Sequence, residues 1–424
     1  MTQGGGLLQL VANGKQDVFL TGNPQVTWFK MVYRRYTNFS IESSRIPFDT
    51  QPDFGRKLTC LIPKKGDLLG PLWLEVTLPA IVDSQTRAPL SYTNSIGHAL
   101  LQELTFEIGE QEIDKQTGEW MEIWSNYTVT GDKQNAWNGM IGKVTGANQG
   151  NDTSEMIGLY GPMTLQIPLR FWFCKSPGMY LPLLALQYHP VRINITLRSL
   201  NKLFLIDNPT ATPCDQTASP VSITSMQLYG DYIHLDLEER RRFVSNSHEY
   251  LIEQVQYTSP YTIDSTAQTV QIPMEFNNPI RELYWTIQRN ASLAANQYFN
   301  YTNYTLGETA PSFQNLISTA LLRIEGYDRF DIRIADYFRL VQPFQYHTVV
   351  PINDYVYSYS FCFRPEDVQP SGSMNASRLN TMTLQLELNP LVRPSRGASQ
   401  ARIYALNHNI LRIVDGFGGI LFRV

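Results

Sequence analysis

Charge is scarce in this chain. Asp, Glu, Lys and Arg make up 17% of its 424 residues, below the roughly 25% of an average soluble domain. The formal net charge is -4. That leaves no basic stripe to neutralise phosphates, so direct nucleic-acid binding is not expected. Cysteine is scarce too. Cys60, Cys174, Cys214 and Cys362 form no C-x-x-C pair, which argues against a zinc site. A chain this long can build its own core without a disulfide framework, so free, mostly buried thiols of a reducing compartment are expected. No run of 18 apolar residues occurs, so no helix of this sequence is expected to span a bilayer. The stretch Met1-Thr2-Gln3-Gly4-Gly5-Gly6 has neither a basic nor an apolar block, and no secretory signal is expected there.

Motifs that carry chemistry are also missing. His98, His189, His234, His248, His347 and His408 form no H-x-H or H-x-x-x-H pair. A metal-binding sandwich of the cupin type would need one, so no metal is expected. Gly139–Val144 has Trp137 where a phosphate loop needs its first glycine, and Val144 where it needs Ser or Thr. Asp415-Gly416-Phe417-Gly418-Gly419 reads as a turn, because no helical stretch follows it to receive a pyrophosphate. No G-x-S-x-G elbow occurs. No catalytic residue and no cofactor are therefore expected. Scattered carboxylates cannot be paired across a sandwich from sequence. A carbohydrate-active or carbohydrate-binding β-sandwich thus stays open, without positive support.

Aromatic residues, by contrast, are plentiful, with 23 Tyr and 20 Phe. They exclude disorder and suit a pleated surface. Period-two alternation recurs at Leu72, Leu74, Val76 and Leu78, at Leu165–Phe173, at Ile193–Leu197 and at Met382–Leu388. Turn clusters such as Pro63–Asp67 and Asn208–Thr210 separate these runs. Helical stretches are few, around Gly118–Ser125 and Leu235–Val244. This is the pattern of an all-β sandwich class.

The most informative feature is an internal repeat. When Gly109 is aligned with Gly326, Ile113 meets Phe330, Asp114 meets Asp331 and Trp120 meets Tyr337. The unit is a strand, a glycine turn, a short strand and a helix packing one aromatic. Phe173-Cys174-Lys175-Ser176-Pro177 likewise matches Phe361-Cys362-Phe363-Arg364-Pro365. The first copy is longer between these landmarks, and Asn126–Gly161 is expected to be an inserted loop. The repeat divides the chain into an N-terminal arm, 1–24, and two related sandwiches, 25–235 and 236–424. Glu238–Arg242 lies near the junction and reads as a solvated linker helix.

Eight N-x-[ST] sequons occur. Asn194 sits inside an alternating strand. Asn290, Asn300 and Asn303 cluster in the polar stretch Gln288–Phe313, expected to be an exposed loop, and are the glycosylation candidates.

Val11–Lys30, V-A-N-G-K-Q-D-V-F-L-T-G-N-P-Q-V-T-W-F-K, resembles the start of major capsid proteins of the nucleocytoplasmic large DNA viruses. Val32–Phe39, Leu186–His189, His248–Gln254, Asp328–Phe330, Pro370–Gly372 with Asn375, Ser377 and Arg378, and Asn409–Ile413 continue the likeness over nearly the whole chain. It is nearest to the algal-virus and amoebal giant-virus type. Asn13-Gly14-Lys15 departs from the family, which tends to have an aromatic and a small residue there. The resemblance implies a double jelly roll of two tandem eight-stranded sandwiches with short helices in loops. It implies a homotrimer of pseudo-hexagonal outline, contacting neighbouring capsomers and minor capsid and penton proteins. Such blocks tile an icosahedral shell over an inner membrane that the chain does not span. It also implies assembly in the host cytoplasm, a place in the virion and no catalysis. A minor capsomer on the same double roll is the alternative.

Overall fold

The computed structural model describes residues 4–144, 161–205, 213–214, 219–303, 305, 314–391 and 397–422. The chain groups into two units, Met1–Asn38 and Phe39–Val424. Within the first, Gly5–Val11 and Val18–Thr21 are helical, and no described residue is buried.

In the second unit, two sets of eight strands carry the architecture. The first set is β1 (Phe39–Ile46), β2 (Lys57–Leu61), β3 (Leu68–Leu78), β4 (Leu101–Ile108), β5 (Gln111–Gln116), β6 (Met163–Pro168), β7 (Val191–Leu197) and β8 (Ser225–Leu235). The second is β9 (His248–Tyr257), β10 (Thr269–Pro273), β11 (Pro279–Arg289), β12 (Ile317–Ile324), β13 (Tyr327–Asp328), β14 (Tyr357–Ser360), β15 (Met382–Leu388) and β16 (Ser399–Val414). The sheets of the first set run β1-β8-β3-β6 and β2-β7-β4-β5. Those of the second run β9-β16-β11-β14 and β10-β15-β12-β13. Adding eight to each label of the first set reproduces the second. Every pairing is antiparallel, and this non-sequential order is that of the jelly roll. The chain is thus a double jelly roll.

Alternation explains each sandwich. Along β3 the side chains of Leu72, Leu74, Val76 and Leu78 are buried, while Trp73, Glu75 and Thr77 are half-buried. The inward sets pack into two separate cores, one centred on Leu74, Phe106 and Ile193 and the other on Trp285, Phe338 and Leu386. The alternating run Leu165–Phe173 is not all strand. It leaves the ladder at Pro168, which has no N–H to donate. Phe171, Trp172 and Phe173 then turn inward around Phe106, with ring centroids 5.4, 5.1 and 5.1 Å away.

The repeated glycines both sit in two-residue hairpin turns, but one position apart. Gly109 and Glu110 join β4 to β5, whereas Glu325 and Gly326 join β12 to β13. All four residues have positive φ, which such tight hairpins require. Beyond the turn the second hairpin takes up one residue more than the first. That restores the spacing, so Met121 and Phe338 fall at matching places and each is buried in its own core.

Two sequence expectations need correction. Asn126–Gly161 is not simply a loop. Residues up to Thr128 complete helix α1 (Gly118–Thr128), and Gly131–Ile141 forms helix α2. Trp137 and Ile141, one helical turn apart, pack with Val129 as a small core, an i, i+4 pattern hidden among polar residues. Residues 145–160 lie outside the described set. Gln288–Phe313 is not an exposed loop either, as far as it is described. Gln288 and Arg289 end β11, and Asn296, Gln297, Phe299 and Asn300–Asn303 are buried. The linker helix is present as α3 (Leu237–Ser245), capped by the Asp236 carboxylate and tied by Arg240 to Asp67 at 3.0 Å.

The two glycines offer a matched test. A Cβ on Gly109 would lie 2.5 Å from the His189 ring, while one on Gly326 meets nothing within 4 Å. Both substitutions to Ala force a left-handed backbone, costing roughly 1–2 kcal/mol. Gly109→Ala is therefore expected to lower the urea midpoint well beyond Gly326→Ala. Equal losses would show that the His189 contact does not matter.

Candidate functional site

Several buried ionisable side chains of this chain converge on the seam between the two sandwiches. Its centre is α1. Thr117 caps the helix by accepting the Trp120 N–H at 3.2 Å. Met121 faces the first core. Trp120, Ile123, Trp124 and Tyr127 face the other way and pack with Val255, Tyr284, Tyr301, Tyr355, Val356, Tyr404 and Leu406 of the second sandwich. A helix apolar on most sides is a buried helix, and Gly118–Tyr127 are all buried.

Its two glutamates are consequently inside the protein. Glu119 accepts hydrogen bonds from Tyr301 at 3.0 Å, Thr286 at 3.2 Å and Tyr404 at 2.9 Å, and pairs with Arg402. All four partners belong to the second sandwich. Glu122 turns back to His98 at 2.6 Å, Lys143 at 2.8 Å and Ser95 at 3.1 Å. Burial would raise the Glu122 pKa, but Lys143 and His98 outweigh it and hold the carboxyl at about 2.

Around this helix lie three further contacts. Lys175 of the first sandwich and Arg281 of the second share Glu253, and Arg281 also donates to the carbonyls of Pro365 and Asp367. The buried Asp114 carboxylate accepts the Val255 N–H at 3.2 Å and the Gln116 amide at 2.7 Å. Burial pushes its pKa up to about 6. His347 is clamped between Glu282 at 2.8 Å and Glu366 at 2.9 Å, with the Tyr127 ring 4.7 Å away.

The glycan candidates fall in the same region. Asn300 donates to the Gln297 side chain at 2.8 Å and accepts from Thr302, while Asn303 accepts the Gln314 N–H. They are 4% and 5% exposed. The expectation that both present an amide outward is therefore corrected. Their stretch wedges against the first sandwich, where Asn296 donates to the carbonyls of Asn201 and Phe204 and its own carbonyl accepts from Thr93. Asn290, opening the short helix Asn290–Ala294, is partly exposed. Asn194 is held by Glu107 and Thr59 within β7.

Among the described residues, no group of three or more His, Cys, Asp or Glu side chains is placed to hold a metal ion. His189 bonds the Gly418 carbonyl at 2.8 Å, and His234 lies 3.5 Å from Glu42. The four cysteines are free. The seam was missed in the sequence, yet it left a trace. G-E-W-M-E-I-W leaves no solvent face for its glutamates, so they had to be buried and paired.

Comparison with known proteins agrees with this architecture. Residues 27–236 match the family model "Major capsid protein N-terminus". Residues 239–419 match "Large eukaryotic DNA virus major capsid protein". The chain is 34% identical to the major capsid protein of Phaeocystis pouchetii virus, over 99% of each chain. It is 36% identical to that of Pyramimonas orientalis virus, again over 99% of each. A quasi-atomic model of the PBCV-1 virus capsid superposes with a TM-score of 0.75 and 29% identity, covering 94% of this chain and all of that one.

His347 gives the seam a pH dependence. Burial opposes its charged form, but Glu282 and Glu366 outweigh it and raise the pKa to about 9. The unfolded value is about 6.5. The stabilisation is therefore complete below pH ~6.5 and lost as pH rises through about 9, on the order of 3 kcal/mol in all. Asp114 titrates below this window. The urea midpoint is expected to fall between pH 6.5 and 9, and His347→Gln should remove much of that fall. An unchanged slope in the variant would exclude His347 as the cause.

Proposed function

The chain belongs to the major capsid protein family of large eukaryotic DNA viruses, and we propose that it works as a homotrimeric capsomer whose sandwiches pave the facets of an icosahedral shell. It is a structural protein of the virion. The observation that carries this reading is the jelly-roll strand order found twice in one chain. Three such chains around one axis give six similar sandwiches, and closed cyclic symmetry keeps the block finite. A block with six similar neighbours can tile a wide flat surface with one protein. The division follows the repeat, with an arm over 1–24, a first roll over 25–235 and a second over 236–424. Function here is shape and contact, so we assign no catalysis, cofactor or direct nucleic-acid binding. The partners in this reading are neighbouring capsomers, minor capsid proteins and pentons, assembled in the host cytoplasm above an inner membrane.

The arm supports the assembly role. Leu7, Leu8, Leu10 and Val11 are all more than two-thirds exposed, at 69%, 69%, 78% and 80%. Burying three leucines is worth roughly 5 kcal/mol before ordering costs. They would find that burial within the assembled shell. Light scattering should show trimers both for the full chain and for a variant lacking residues 1–23, with shell assembly impaired only in the variant. A full-length protein that stays monomeric at micromolar concentration would defeat the trimer. Normal shells from the shortened chain would defeat the arm. Copy number in purified virions separates a major from a minor capsomer.

Of the glycan candidates, Asn290 is the one residue that the folded protomer leaves partly exposed, although its side-chain oxygen is buried. Mass spectrometry of virion protein is expected to find any glycan of this stretch on Asn290, with Asn300 and Asn303 bare. A glycan on either buried asparagine would overturn this assignment.

A further inference from the structure

We propose that the cavity between helix α2 and the end of β6 is a binding site for a small oxyanion. The cavity has a volume of about 340 Å³, and Trp124, Trp137, Arg170, Lys175 and Glu366 line it. Two cations lie over its tryptophans. The Arg170 guanidinium carbon is 4.5 Å from the Trp137 ring centroid, and Lys175 Nζ is 4.4 Å from that of Trp124.

These cations are not balanced. Lys175 and Arg281 share the single carboxylate of Glu253. Arg170 has no carboxylate partner among the described residues, and its Nε is buried without an acceptor. Glu366 faces the cavity, but its oxygens are engaged by His347 and Thr348. Burial draws Arg170 down to about 10. Burial, then Arg281 and Lys175 against the opposing Glu253, keep His408 near 4.

The geometry also selects the ligand. The Arg170 guanidinium lies over the Trp137 indole, and a guanidinium carries its N–H donors in the plane of a rigid fork. Such a fork meets two oxygens of one planar carboxylate or one tetrahedral phosphate. The cavity volume exceeds that of either ion, leaving room for the group that carries it. The shared chemistry is a two-oxygen anionic face, supplied by free phosphate or by an acidic side chain.

The test is calorimetric titration of the full-length protein with sodium phosphate and, separately, with sodium acetate, against sodium chloride at matched ionic strength. Saturable binding of at least one of the two oxyanions is expected, with quenching of tryptophan fluorescence. Phosphate alone identifies a tetrahedral ligand, and acetate identifies a carboxylate. Arg170→Lys retains the charge but not the fork, and should weaken binding by about tenfold. Arg170→Met should abolish it. If Arg170→Met does not fold, the lysine variant decides. No saturable binding above chloride in the native protein, or binding by Arg170→Lys as tight as native, would overturn the site.

Discussion

The structure turns on one buried carboxylate. Glu119 projects from the first sandwich into the second and is met there by two tyrosine hydroxyls, a threonine and an arginine. Thr286, Tyr301 and Tyr404 are buried and would lose this acceptor without it, and the carboxylate would lose its counter-charge without Arg402. Removing one member of such a set typically costs about 3–5 kcal/mol, because the rest stay buried and unpaired. The aromatic surface around it supplies most of the burial. Aromatic contacts alone, however, would tolerate sliding. A four-donor hub has one geometry that satisfies it, so it fixes the register of one sandwich on the other.

That constraint also explains how two copies of one fold diverged. In the second sandwich the helix after the hairpin keeps Tyr337 and Phe338 against its own core. In the first, Met121 keeps that inward role, while Trp120 and Trp124 face the neighbouring sandwich and stack on one another at 5.7 Å. The same topology thus yields a closed end in one copy and a docking ridge in the other. The extra residues of the first copy serve the ridge. Lys143, just past α2, reaches back to Glu122 and to Asn126, and bridges towards Asp354 of the second sandwich at 3.9 Å.

The sandwiches were legible because their signal is local. Alternation such as Leu72–Leu78 names the inward face residue by residue, and the repeat tied the two halves together. The glycine alignment was one residue off at the turn, because a repeat seen in sequence cannot show where a ladder absorbs an extra residue. The seam was not legible for a different reason. Its partners, such as Glu119 and Arg402, are far apart in the chain, and polarity was read as exposure. Gln288, Asn296, Asn300 and Asn303 are polar and buried together because Gln297 and the backbone around them supply hydrogen-bond partners. No periodicity separates that arrangement from a solvated loop. The exposure expected of Asn300 and Asn303 failed on the same ground.

The cysteines complete the physical picture of a shell protein. A subunit with four free cysteines stays uniform only if they do not form bonds at random. Reactivity requires the thiolate, and burial suppresses it. The Cys60 and Cys174 thiols are both pushed up to about 12, in each case chiefly by desolvation. Cys214 and Cys362 are buried as well. With two filled cores and a polar hub between them, the fold has no need of a covalent staple. Its thiols can therefore serve as small apolar side chains, held in the unreactive form by the same burial that packs them.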